Sequence, residues 1–255
     1  MTPDRLALVV WSAVAPDAAP PPDGPPRMLP ATEGPGWRSP VALRLAPSLG
    51  RSSRDLAHEA AARLRGHPDV GSVQVLGYGM LEVVLTPRAA GIVVTRVMAG
   101  ETEVDLAVLT GRFATPPLPG PGRRRRDDPV FAVVWAHARA RTVLSLAAGE
   151  GIGPAGAVGD LLAGPAEMAL LTALAAFPHD VSRATRTGDA GSLLLRLVGL
   201  AGRTHDWLDL ESVVPWRKDE PVTAVHHARV ALAAAAAACL VRGLRLLDLP
   251  RPVRV

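Results

Sequence analysis

Phe131-Ala-Val-Val-Trp-Ala-His-Ala-Arg-Ala-Arg141 is the stretch on which the fold of this chain turns. It sits in an apolar run from Val130 to Ala148 with the spacing of a helix. Phe131, Trp135 and Ala138 fall on one face, and His137 and Arg141 share another at i, i+4. Arg139 follows Trp135 by four residues, which sets a guanidinium beside an indole. That pairing suits an unstacked nucleic-acid base, with the ring stacking on it and the arginine taking its edge or the adjoining phosphate. A core aromatic with surface arginines has the same spacing, so the pattern alone leaves both readings open.

Downstream, helical spacing returns over Pro165 to Phe177, Val181 to Arg186, Gly191 to Leu210 and Val222 to Leu247, separated by Gly and Pro. The C-terminal half is therefore expected to be an all-α bundle of about five helices. Gly151-Ile-Gly-Pro-Ala-Gly156 has the spelling of a dinucleotide loop, but a long helix precedes it where a strand is required and Pro154 interrupts it. It reads as an interhelical connection. The apolar run Val230 to Val241 lies between Arg229 and Arg242 and falls short of the roughly 20 residues of a membrane span, so no transmembrane segment is expected.

Upstream of the decisive stretch, Pro87 to Asp127 holds a weak apolar segment (Ile92 to Val97), then Pro116-Pro-Leu-Pro-Gly-Pro-Gly122 and Arg123 to Arg126, the composition of a linker. Before it, Leu6 to Ala15 reads as a first helix and Pro16 to Pro40 as an irregular, Pro/Gly-dense segment. Pro47-Ser-Leu-Gly50 breaks an apolar run, and Ser53 to Leu64 follows with Ser53 as N-cap and Leu56, Ala60 and Leu64 on one face. Val70 to Leu76 and Met80 to Leu85, joined by Gly77-Tyr-Gly79, read as two strands. The fold class is α+β: a small N-terminal α+β module over residues 1–87, a Pro/Gly/Arg-rich linker over 88–127, and a helical bundle over 128–255.

The overall charge discriminates little. Of 28 basic residues, Lys218 is the single lysine, and without Arg123 to Arg126 the remaining 24 balance 24 acidic ones. The lone cysteine, Cys239, lies in an alanine-rich helix, which excludes a disulfide framework and suits a reducing compartment. The seven histidines show no H-E-x-x-H spacing, and the adjacent His226 and His227 point about 100° apart on a helix, so no metal site is expected. No G-x-S-x-G elbow occurs, and no catalytic residue or cofactor is assigned.

Asp127-Asp-Pro-Val-Phe-Ala-Val-Val-Trp-Ala-His-Ala-Arg139 resembles the stretch of arginyl-tRNA synthetases that reads approximately D-N-P-V-Y-Y-V-Q-Y-A-H-A-R and opens their anticodon-binding domain, whose helical fold carries the family's DALR name. The similarity continues through Pro165 to Pro178, Thr204-His-Asp-Trp-Leu-Asp209, Val213-Val-Pro215, Ala228 to Leu232 and Gly243 to Asp248. Val41 to Arg51 and Val73 to Leu81 look like the family's N-terminal additional domain, which contacts the tRNA elbow. Between these flanks the family has a class I nucleotide-binding fold. Here there is no H-x-G-H block or K-M-S-K-S loop, and an interval of this length does not hold a domain of on the order of 150 residues.

The resemblance therefore implies a non-catalytic, cytoplasmic tRNA-binding protein, with arginine tRNA as the expected partner. Its implied RNA-binding residues are Trp135, His137, Arg139, Arg141, His205 and Trp207, with Arg123, Arg124, Arg125 and Arg126 as candidate phosphate contacts. The alternative is a protein-interaction or regulatory module, docking a synthetase or another protein. The chain departs from the family at Met80 and Glu82, which replace an aromatic and an amide, at Trp207 to Ser212, and at Val255 in place of a terminal methionine. A carboxylate at Glu82 repels phosphate.

Overall fold

Four short strands and eight α-helices make up the described part of the protein, seen in a computed structural model that covers residues 1–19, 21, 24–31, 36–100, 128–154, 159–217 and 219–249. The α+β class and the helical C-terminal half are as the sequence implies. α1 spans Pro3–Val14, started by Thr2, whose hydroxyl accepts from Arg5 N–H, and by Pro3 in the first turn. α2 (Val41–Leu49) contains Pro47 and ends on Gly50 in the left-handed conformation. α3 (Ser53–Leu64) is capped by Ser52, one residue before the expected Ser53. The Ser53 hydroxyl is used elsewhere, donating to the Tyr78 carbonyl at 2.6 Å.

β3 (Val70–Leu76) and β4 (Met80–Leu85) lie where the alternation predicts them. The segment read as irregular adds β1 (Leu29–Pro30) and β2 (Trp37–Ser39), giving an antiparallel sheet in the order β1-β2-β4-β3. Strands of two and three residues are too short to show a period, which is why the pattern missed them. In register, Glu82 stands between Gln74 on β3 and Arg38 on β2. The departure to an acid is thus matched by a basic cross-strand neighbour.

α4 (Pro87–Met98) occupies the start of the interval read as linker. Thr86 caps it and Pro87 opens it, while Ala89, Ala90, Val93, Val94 and Val97 are buried. Its run of β-branched residues is a poor helix former in isolation, so tertiary burial decides its structure. It packs on the helices Pro165–Thr187 and Ala224–Leu246 of the helical half, and one continuous hydrophobic core runs from Leu6 through Val83 and Val94 to Leu240. Residues 101–127, with Arg123 to Arg126, lie outside the described residues.

The helical half consists of α5 (Pro129–Gly149), α6 (Pro165–Thr187), α7 (Ala190–Leu210) and α8 (Ala224–Leu246). Two expected helices, Pro165 to Phe177 and Val181 to Arg186, are one. α6 runs through Pro178, which removes one backbone hydrogen bond, and the buried Leu170, Leu171, Leu174, Phe177 and Val181 on both sides hold it together. α5 and α8 are long and apolar enough by length and composition to cross a membrane, but they pack on each other as core helices. At the α7–α8 crossing, a Cβ on Gly243 would stand 2.2 Å from the Leu197 side chain, so glycine sets the approach.

An ion-pair network ties three helices. Glu167 on α6, almost fully buried, accepts from Arg229 Nε on α8 at 2.8 Å and from the Gly164 N–H at 2.8 Å. Arg229 also donates to Glu211 at the end of α7, and to the Ser212 carbonyl at 2.9 Å. This clamp fixes where the α7–α8 connection leaves the bundle.

Candidate nucleic-acid interface

α5 begins at Asp128, whose carboxylate accepts from the Val130 and Phe131 N–H groups at 2.8 and 3.1 Å. Helical spacing then lines up Phe131, Trp135 and Arg139, and α7 supplies His205 and Asp209 across from them. The Phe131 and Trp135 rings stack at 6.2 Å and 14°, and the His205 ring lies 4.5 Å from Trp135, tilted by 43°. The Arg139 guanidinium carbon sits 5.6 Å from the Trp135 ring centre. All of these rings are half-buried.

Arg139 is held on two further sides. Its Nη2 donates to Asp209 at 2.6 Å and its Nη1 to His205 Nδ1 at 3.0 Å. An arginine cannot accept, so Nδ1 is the acceptor and the neutral ring carries its proton on Nε2, which faces the Ala132 carbonyl at 3.4 Å. Burial, then the Arg139 charge, push the His205 pKa below the usual histidine range, consistent with that tautomer. Asp209 is 64 % exposed and neutralises Arg139 locally. Arg139 thus lies between an indole, an imidazole and a carboxylate.

The remaining predicted residues divide. His137 is buried, and with exposed Arg141 it lines a different feature, an open groove of about 760 Å³ between α4, α5 and α8 floored by Ala234, Ala237 and Val241. Trp207 is wholly enclosed in the core, with its indole N–H lacking a partner among the described residues, and so presents no surface to RNA. Trp207 thus points into the core, whereas His137, though mostly buried, borders the groove. Cys239 is buried and its thiol is pushed up to about 12 by burial. Among the described residues no group of three His, Cys, Asp or Glu side chains is placed to hold a metal.

Sequence reading passed over Trp216. It lies in the connection between α7 and α8, 86 % exposed and followed by Arg217, with its backbone N–H bonded to Glu220 at 2.9 Å. An aromatic followed by Arg217 and Lys218 outside any helical period was the signal available.

Residues 133–255 match the DALR anticodon binding domain, and the match runs over the helices that carry this cluster. The helical half is therefore similar to that domain. The chain is similar to arginine–tRNA ligases: it is 36% identical over 153 residues to that of Clavibacter sepedonicus, covering 60% of this chain and 25% of the relative. It is 38% identical over 154 residues to that of Kineococcus radiotolerans, covering 60% and 26%. The arginine–tRNA ligase of Renibacterium salmoninarum is 34% identical over 129 residues, covering 51% and 23%. The chain spans about a quarter of the length of the curated relatives it matches. The similarity to these ligases extends over about 60% of this chain.

Proposed function

We propose that this protein binds the anticodon arm of a tRNA, arginine tRNA foremost, through its helical half in the cytoplasm, and that it does not charge the tRNA. The observation that carries this reading is that the match to the anticodon binding domain covers the α5–α8 bundle, on which Trp135, Arg139 and His205 form a pre-organised aromatic group. In this reading the half-buried ring of Trp135 and the projecting ring of Trp216 stack on unpaired bases, while Arg217 and Arg141 meet phosphates.

The test is a mobility-shift titration with arginine tRNA at several salt concentrations. Binding that weakens linearly on a log–log salt plot is expected, and Trp216→Ala is expected to weaken it roughly ten- to a hundredfold. Absence of binding at low salt sinks the reading. ATP–pyrophosphate exchange is expected to be negative, and robust exchange overturns the non-catalytic part.

The groove between α4, α5 and α8 favours a second reading. Its apolar floor and the exposed Arg141 and Arg245 at its rim suit an acidic, amphipathic protein segment. A protein partner retained after nuclease treatment, and lost on Ala237→Arg, supports it.

A further inference from the structure

A second basic feature lies where the N-terminal module meets the bundle, away from the Trp135 cluster. α6 and α7 form an antiparallel pair about the turn at Gly188, so Asp180 on α6 faces Arg196 on α7, with Nε to Oδ1 at 3.7 Å. Arg183, one turn further along α6, is also within electrostatic reach of Asp180. A third guanidinium comes from the other module. Arg27 stands just before β1, and β1 packs against α6.

Three arginines, Arg196, Arg27 and Arg183, thus share one carboxylate, with Arg186 close to Arg27. Arg196 meets it at long range, and Arg27, Arg183 and Arg186 have no ion pair among the described residues. Asp180 is itself desolvated, which raises its pKa against the pull of the surrounding cations. Among the described residues the buried Arg27 Nε has no hydrogen-bond acceptor, and a buried unmet donor signals a missing partner. Arg186 and Arg196 are exposed and Arg183 half-exposed, so the cluster is open to solvent. Like charges gathered at that density repel unless an anion is shared among them, and a phosphate offers oxygens to several guanidinium forks at once.

We propose that Arg27, Arg183, Arg186 and Arg196 form a phosphate-binding site spanning the two modules, with Asp180 as the internal counter-ion that an incoming phosphate outcompetes. Only the packed arrangement of the modules creates it, since Arg27 and Arg183 lie more than 150 residues apart. It stands independently of the anticodon reading, because the phosphate belongs either to an RNA backbone or to a free phosphate compound.

The test uses the full chain with two probes, sodium tripolyphosphate by titration calorimetry and a labelled single-stranded RNA by fluorescence anisotropy. Arg27→Gln and Arg183→Gln are each expected to weaken binding of the responding probe about tenfold, the worth of one charge-assisted hydrogen bond. Asp180→Asn is expected to tighten it, a gain that a merely unfolded variant does not give. If tripolyphosphate shows this pattern, the site takes free phosphates; if the RNA alone shows it, the source is a nucleic-acid backbone. Affinities of both probes unchanged in all three variants, or no binding of either probe, overturn the proposal. Arginine-tRNA binding that survives the arginine variants leaves the anticodon reading intact whatever the two probes show, and absence of tRNA binding in the unaltered protein beside intact tripolyphosphate binding counts against the anticodon reading alone.

Discussion

The N-terminal module and the helical bundle solve close packing in opposite ways. In the module, the tight approach is between backbones: the Gly77-Tyr-Gly79 turn sits on the start of α3, and a Cβ on Gly79, at φ +124°, would lie 2.6 Å from the Ser53 carbonyl oxygen. In the bundle, the tight approach is between a backbone and a side chain, Gly243 against Leu197. A side chain can rotate and a strand–helix junction cannot, so the module is the less forgiving of the two. The contrast extends to exposed aromatics: Tyr78 tops the hairpin at 87 % exposure, and the bundle buries Trp207 while projecting Trp216 nine residues later.

The largest expected effect is from Trp207→Ala, which opens a cavity in the core and should cost about 3–5 kcal/mol in denaturant unfolding, whereas Trp216→Ala should change stability by less than about 0.5 kcal/mol. Equal effects would dissolve the contrast between the two tryptophans. Gly79→Ala should come next, at about 3 kcal/mol, since it combines a disfavoured backbone conformation with an unyielding neighbour. Gly243→Ala should cost about 1–3 kcal/mol, the range for overpacking a core that relaxes, and Leu197→Ala introduced with it should recover part of the loss.

The smallest expected effect is a pH dependence at the Trp135 cluster. His205 has a folded pKa lowered by burial and by Arg139, so the unfolded chain binds the proton more readily. The stability it contributes is full above the ordinary histidine pKa of about 6.5 and declines as pH falls toward the lowered folded value. Thermal melts from pH 7.5 to 5 should show a steeper decline for the unaltered protein than for His205→Gln. Parallel curves would place the acid sensitivity elsewhere.

Legibility differed between the halves for a physical reason. β3, β4 and the buried face of α3 were readable because alternation and i, i+4 spacing are local. α4 was not, because its valines form a helix only against α6 and α8. Pro178 misled in the bundle, where packing on both sides outweighs one lost hydrogen bond. At the site, the Trp135 and Arg139 pairing was visible at i, i+4. The partners that immobilise Arg139 were not, since Asp209 and His205 come from a helix some 70 residues away.

By itself, then, the sequence determined the α+β class, the helical character of the C-terminal half and its likeness to an anticodon-binding domain, all of which rest on short-range patterns. Tertiary structure alone decided that Trp207 is inside and Trp216 outside, that Arg139 meets His205 and Asp209, and that Arg27 joins three arginines of the bundle. Those outcomes depend on how each helix is rotated against its neighbours, and that rotation is set by the summed packing of residues far apart in the chain.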